Sequence, residues 1–186
     1  MFLEKVYTLP HKAIKRLDDD VEYLSIYIVQ DYNLKLLKSI VDFSLDIFGD
    51  AGMDEWGIVP QIRQGNVFIL KEENNRKVVG LAILMRGWED PDQAYLFDFA
   101  IAEEYHGRGL GFHFLKGIIE NLISQDFKRM GLTVDVDNIG AIKLYEEKLG
   151  FELITREDDE YGKGHHRYIM KLEFSEFLDR FGPLKE

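Results

Sequence analysis

One stretch limits the folds open to this chain more than any other. A short apolar segment, Tyr95-Leu96-Phe97-Asp98-Phe99-Ala100-Ile101, passes into Glu103-Glu104-Tyr105-His106-Gly107-Arg108-Gly109-Leu110-Gly111, and a helix-patterned segment follows directly to Gln125. A strand that turns on glycines into a helix aims backbone N–H groups and the positive end of a helix dipole at one point. The N–H groups of residues 107 to 112 stand at the helix start, where no preceding turn supplies carbonyls. An anion, most often a phosphate, suits that point, and glycine at 107, 109 and 111 lets a diphosphate come close.

The rest of the composition narrows the class. A chain of 186 residues with 46% hydrophobic content suggests one domain with an ample core and room for a terminal appendage. A formal net charge of −11 argues against sequence-independent nucleic-acid binding, which needs a basic face. The absence of cysteine excludes disulfides, thiolate metal sites and a Cys nucleophile. Met1-Phe2-Leu3-Glu4-Lys5 lacks a signal-peptide pattern, and no apolar run approaches the ~20 residues of a membrane span. A cytoplasmic protein with no membrane partner is expected.

Residues 1–20, with Pro10 and the acidic Asp18-Asp19-Asp20, read as an N-terminal extension packed on the domain. Regular structure is expected from Val21, as a β-rich strand to Ile28. Asn33 caps a helix whose stripe is Leu37, Ile40, Val41, Leu45 and Phe48, with Gly49 as its stop. Asp54-Glu55 opens a short helix that Pro60 would disturb, with Trp56, Ile58 and Ile62 as partial core. Strands at 67–70, 77–85 and 95–101, joined by turns at Asn74-Asn75 and Glu89–Asp92, form an antiparallel meander. The helix after the glycine turn carries Leu115, Ile118, Ile119, Leu122 and Ile123 on one stripe. A strand at 131–137 follows, parallel to 95–101 because a helix intervenes. Asn138 then caps a helix from Ile139 to Leu149, ended by Gly150. Strands at 151–157 and 165–172 precede a helical tail, 174–186, with the stripe Phe174, Phe177, Leu178 and Phe181. The order β, α, (α), β, β, β, α, β, α, β, β makes residues 21–173 one mixed α/β, α+β-like domain.

A bare Gly-x-Gly-x-Gly is also compatible with an ordinary helix start. A dinucleotide fold fits poorly. The turn follows a meander instead of opening a βαβ unit, the spacing misses Gly-x-Gly-x-x-Gly, and Asp126 lies at roughly the right separation for a ribose contact but not after an apolar strand. Two motifs together favour a third reading. His106-Gly107-Arg108-Gly109-Leu110-Gly111 resembles the Arg/Gln-x-x-Gly-x-Gly/Ala loop of the GCN5-related N-acetyltransferase (GNAT) family, with His106 where Arg or Gln is usual. Asn138-Ile139-Gly140-Ala141-Ile142-Lys143-Leu144-Tyr145-Glu146-Glu147-Lys148-Leu149-Gly150-Phe151 is similar to the family's Asn-x-x-Ala-x-x-Leu-Tyr-x-Lys-x-Gly-Phe stretch, with one additional residue before Gly-Phe.

The resemblance covers about residues 21 to 173. It implies a GNAT-like central mixed sheet of about six to seven strands, splayed between the fourth and fifth, with helices on both faces. It implies an acetyl-CoA-dependent N-acetyltransferase acting on a primary amine of a small molecule or peptide, with no metal. His106, Gly107, Arg108, Gly109, Leu110, Gly111 and Phe112 would hold the diphosphate. Phe99, Ala100 and Ile101 would give backbone contacts to the pantetheine arm, and Asn138, Ala141 and Tyr145 further cofactor contacts.

For the chemistry, Tyr145 suits a general acid for the departing thiolate, and this role is favoured over that of a core-facing ring, although the residue shares a stripe with Ile142 and Leu149. Asn138 can cap and touch the cofactor at once. Asp98, in an apolar strand, reads as a general base or as a hydrogen-bonded structural carboxylate. Asp135 is another candidate base, and Glu103 and Glu104 read as solvated. Backbone N–H groups near Ala100 to Ala102 could meet the oxyanion. Substrate walls are expected from residues 50–66, 86–93 and 157–165, where Asp54, Glu55, Asp158, Asp159 and Glu160 would suit a cationic amine or be solvated loop charge. His11, His106, His113, His165 and His166 show no ligand spacing. Monomer and homodimer both remain open, and a catalytically silent acyl-CoA-binding or regulatory domain on the same fold is the alternative.

Overall fold

The computed structural model describes residues 15–19, 22–74 and 77–184. The expectation for residues 1–14 lies outside them. The strands are β1 (Lys15–Asp19), β2 (Glu22–Ile28), β3 (Asn66–Glu72), β4 (Val78–Arg86), β5 (Gln93–Ile101), β6 (Arg129–Asp135), β7 (Glu152–Glu157) and β8 (Arg167–Glu173). Hydrogen bonding orders them β1-β2-β3-β4-β5-β6-β8-β7. Among the described residues that is one strand more than expected, because Lys15–Asp19, ahead of Val21, already forms a strand. Asp18 and Asp19 hid β1, since acidic residues are depleted in strands.

The chain divides into two compact units. The first contains residues up to Met85 together with Asp98–Gly117. In it β1, β2, β3 and β4 pair antiparallel in succession. Val67–Leu70 and Val78–Leu84 are buried without alternation, as strands covered on both faces require. Helix α1 (Leu34–Phe48) is capped by Asn33, whose side chain accepts the Leu36 N–H at 2.9 Å. Its inner face is Leu36, Leu37, Ile40, Val41, Phe43 and Ser44, while Leu45 points outward. Ser44 is buried with that face, its hydroxyl accepting the Met53 N–H at 2.9 Å. Helix α2 (Glu55–Gln64) runs through Pro60. Ile58 and Ile62 are buried as expected, but Trp56 is 88% exposed, because two residues from Ile58 is the far side of a helix.

The second unit contains Arg86–Phe97 and Ile118–Glu186. Strand β6 pairs antiparallel with β8 along its whole length, and β7 pairs antiparallel with β8. The β5–β6 ladder is parallel and joins Gln93–Leu96 to Arg129–Leu132. These are the expected fourth and fifth strands once β1 is counted. Both continue past the ladder, β5 to Ile101 and β6 to Asp135. Trp88, in the turn before β5, is 99% exposed. Helix α3 (Leu110–Ser124) buries Leu115, Ile118, Ile119 and Leu122 completely. The tail forms helix α5 (Phe174–Phe181). Phe174 and Phe177 are buried within the single chain, and Arg180 donates to the Glu147 carbonyl, so the stripe packs on its own unit. No helix among the described residues is long and apolar enough to cross a membrane.

Candidate functional site

The glycine loop belongs to the first unit. Gly107 and Gly109 both have φ of +76°, a left-handed conformation that glycine adopts without cost. Gly111 lies inside α3 and turns nothing. The Gly109 carbonyl accepts the His113 N–H at 3.2 Å, the first rung of the helix. The N–H groups of Leu110 and Gly111 therefore come before any carbonyl the helix can offer, and the dipole adds positive potential there.

Side chains hold the loop's base. Tyr105 is buried and donates to the Glu72 carboxylate at 3.1 Å. The guanidinium of Arg108 lies over the Tyr105 ring at 5.1 Å, and Lys77, paired with Glu104, lies over the same ring. His106 takes a specific place: its Nε2 meets the Ile101 carbonyl oxygen at 2.8 Å. The residue that departs from the family loop thus ties the loop back to the end of β5.

At the end of β5, the Phe99 ring stacks on Phe114 of α3 at 5.6 Å. The Ala102 N–H is bonded to the Val79 carbonyl at 2.9 Å. That removes Ala102 from the expected oxyanion donors. Asp98 is half-buried and takes no hydrogen bond from the backbone or side chains of the described residues. Burial alone pushes its carboxyl up to about 6. The unfolded value is about 3.9, so the folded protein holds the proton more tightly than the unfolded chain does. Protonated Asp98 is thus favourable below about pH 4, and that stability is lost as pH rises through about 6. Asp98→Asn is expected to raise stability by about 1–2 kcal/mol near pH 8, with the partial solvent contact discounted, and to change nothing near pH 3.5. Thermal unfolding at the two pH values checks this. An equal effect at both would show that the carboxylate is not the strained group.

The second motif belongs to the second unit. Helix α4 spans Ile139–Lys143 and is capped by Asn138, whose Oδ1 accepts the Ala141 N–H at 3.1 Å. Capping uses the amide oxygen and leaves the amide N–H groups for another partner. From Leu144 to Leu149 the chain is a π-helix, not the α-helix expected. A π turn absorbs one extra residue, and this motif carries one more residue than the family pattern. Gly150, at φ +88°, ends it. Tyr145 stands in the widened turn, its ring 5.6 Å from that of Phe151. Burial pushes its phenol above the usual tyrosine range, and the charge of Arg167 opposes the shift. Among the described residues its hydroxyl makes no hydrogen bond. It is also not among the sealed polar atoms, of which Arg167 Nε alone is unsatisfied. The ring is packed, and the oxygen is not completely sealed from solvent.

Local patterning did not mark a second polar cluster in this unit. Tyr95 (β5) hydrogen-bonds Thr133 (β6) at 3.1 Å, and Thr133 meets the Tyr161 hydroxyl at 3.4 Å. Arg167 (β8) stands opposite Asp135 (β6). Only the register of three strands brings these together. Three of the five acidic residues named for substrate walls serve local structure. Asp54 caps α2, Asp158 pairs with Arg156 and His166, and Asp159 accepts the Gly164 N–H. Glu103 and Glu104 are exposed, as expected. No group of three or more His, Cys, Asp or Glu able to hold a metal ion occurs among the described residues.

Known proteins are similar to this chain. An L-2,4-diaminobutyric acid acetyltransferase of Methylotuvimicrobium alcaliphilum is 27% identical over 109 residues, covering 59% of this chain and 63% of that protein. A ribosomal protein bS18 alanine N-acetyltransferase of Salmonella typhimurium is 36% identical over 87 residues, covering 45% of this chain and 58% of that protein. The chain thus spans about three fifths of the length of these curated relatives. The crystal structure of the ribosomal-protein-S18-alanine N-acetyltransferase of Escherichia coli shares the fold, with a TM-score of 0.66 at 24% identity over 81% of this chain and 93% of that one. The model of the acetyltransferase (GNAT) family matches residues 34–151, which include the glycine loop, Asn138 and Tyr145, and the chain belongs to that family.

Proposed function

We propose that this protein is an acetyl-CoA-dependent N-acetyltransferase that acetylates a primary amine of a small molecule or peptide. The observation that carries the reading is the loop in which two left-handed glycines deliver the chain into α3 beside Arg108. Backbone donors, a helix dipole and a cation there suit a diphosphate. Phe99, Ala100 and Ile101 offer backbone groups to an extended pantetheine arm, and Asn138 and Ala141 add contacts. Relatives named for an amino acid and for a protein alanine support an amine acceptor.

In the reaction the amine nitrogen attacks the acetyl carbonyl carbon. A C–N bond forms, the C–S bond breaks, the amine loses a proton and the sulfur gains one. Asp98, as a carboxylate of raised basicity, takes the amine proton directly or through water. N–H groups of Ala100 and Ile101 meet the developing oxyanion. Tyr145 protonates the thiolate. No metal is required. A cytoplasmic location and no nucleic-acid partner go with this reading.

Two measurements test it together. Acetyl-CoA at about a hundredfold over its dissociation constant should stabilise the fold by about 2.7 kcal/mol against heating. Free thiol should then be released in the presence of an accepted amine. Protection without release from any amine would favour the silent binding domain, and no protection by any CoA ester would remove the cofactor.

A further inference from the structure

Arg167 is under-used for a charged residue in a sheet. A guanidinium carries five N–H donors. One terminal nitrogen of Arg167 faces Asp135 Oδ2 at 3.8 Å, too far for a hydrogen bond. Its Nε is the one buried side-chain polar atom without a partner among the described residues. A buried unsatisfied donor is costly and needs a reason. The ring of Tyr161 lies over the guanidinium at 4.8 Å, but that residue is itself largely exposed. Its hydroxyl meets Thr133 at 3.4 Å, the long end of the hydrogen-bond range, and also interacts with the Tyr95 hydroxyl. The ring sits in an exposed turn between β7 and β8 and covers one face of the guanidinium.

The charges around it form a matched set. Asp135 and Arg167 are cross-strand partners on β6 and β8, and both side chains reach solvent, at 40% and 26% exposure. One anion and one cation, side by side and not in hydrogen-bond contact, complement a group with the opposite arrangement. We propose that Arg167 and Asp135 form the recognition point for the zwitterionic head group of a free amino acid, with Tyr161 as its cover. The carboxylate of the acceptor takes the unsatisfied Nε edge of Arg167, and its α-ammonium takes Asp135. The hydroxyls of Tyr95 and Thr133 supply neutral polar contacts beside them. The acceptor is therefore a diamino acid, and its side-chain amine is the nitrogen that gains the acetyl group. That nitrogen forms the new C–N bond and gives up a proton, while the C–S bond breaks and the thiolate is protonated. What happens to the bound acceptor rests on the acetyltransferase reading; the recognition itself does not.

The experiment uses pairs that differ only by the carboxylate: ornithine against putrescine, and 2,4-diaminobutyrate against 1,3-diaminopropane. Thiol release and calorimetric binding are measured for each, on the wild-type protein and on Arg167→Lys. Lysine keeps the charge and loses the planar fork. The wild type is expected to favour each diamino acid over its diamine by roughly 10- to 100-fold in kcat/KM, through KM. In Arg167→Lys the loss should fall on the diamino acid and bring the pair close together. Asp135→Asn should weaken the diamino acid in the same way. Equal handling of acid and diamine by the wild type would overturn the proposal, as would an equal loss on both in Arg167→Lys. Binding of the diamino acid that depends on Arg167, without any acetylation, would uphold it and instead sink the acetyltransferase reading. Absence of any diamino-acid binding would sink the recognition point whatever acetyl-CoA does.

Discussion

Tyr145→Phe is expected to lower kcat by roughly two to three orders of magnitude, with the KM for acetyl-CoA nearly unchanged. The substitution removes one oxygen and keeps the ring, so the packing of residue 145 against Phe151 survives and the fold should not suffer. What is lost is a proton donor. Burial holds the phenol protonated beyond the usual tyrosine range, so the acid stays available across neutral and alkaline pH. No alkaline fall in rate should therefore come from Tyr145 itself. Steady-state kinetics with an accepted amine checks this. Unchanged turnover in the variant would leave Tyr145 as a core ring and return the thiolate to solvent for its proton.

Gly109→Val should abolish most cofactor binding while leaving the fold nearly intact. A Cβ at residue 109 would meet only His113 Cδ2, at 3.9 Å, so space is not the difficulty. The difficulty is the φ of +76°, where a β-branched residue costs about 1–2 kcal/mol or more. The loop relieves that strain by turning differently, which misdirects the N–H groups at the start of α3. Charge-assisted bonds to a phosphate are each worth about 1.5–3 kcal/mol, so affinity for acetyl-CoA should fall roughly 10- to 100-fold or more. Gly182→Val is the control. Gly182 has φ of +83° and open space about its Cβ, so it carries similar strain far along the chain from the loop. If Gly109→Val bound acetyl-CoA as well as Gly182→Val does, the diphosphate would have to be held elsewhere.

What the sequence disclosed depended on how far apart the cooperating residues were. Asn33 and Gly49 bracket α1 because a cap acts within one turn. The glycine loop was legible for the same reason, since strand, turn and helix are contiguous. The additional residue before Gly150 was visible, and the π-helix is its physical consequence. Trp56 was misplaced because local composition cannot say which face of a short helix looks inward. Strand β1 was missed because its aspartates oppose β-propensity, and backbone pairing to β2 outweighs them. Asp98 stood out as odd in an apolar strand, but only the fold shows that it takes no hydrogen bond among the described residues. The cluster of Tyr95, Thr133, Asp135, Tyr161 and Arg167 draws on three strands and a turn, with Tyr95 and Arg167 72 positions apart. No window along the chain contains it.

The two tryptophans carry a practical consequence for spectroscopy. Both indoles, Trp56 and Trp88, already sit in water in the folded protein. Their emission therefore begins where unfolding would leave it, and intrinsic tryptophan fluorescence should be nearly silent through the melting transition. The same property makes them free reporters of anything that covers them. A blue shift on adding a molecule would mark desolvation of Trp56 or Trp88, with no background from the fold itself.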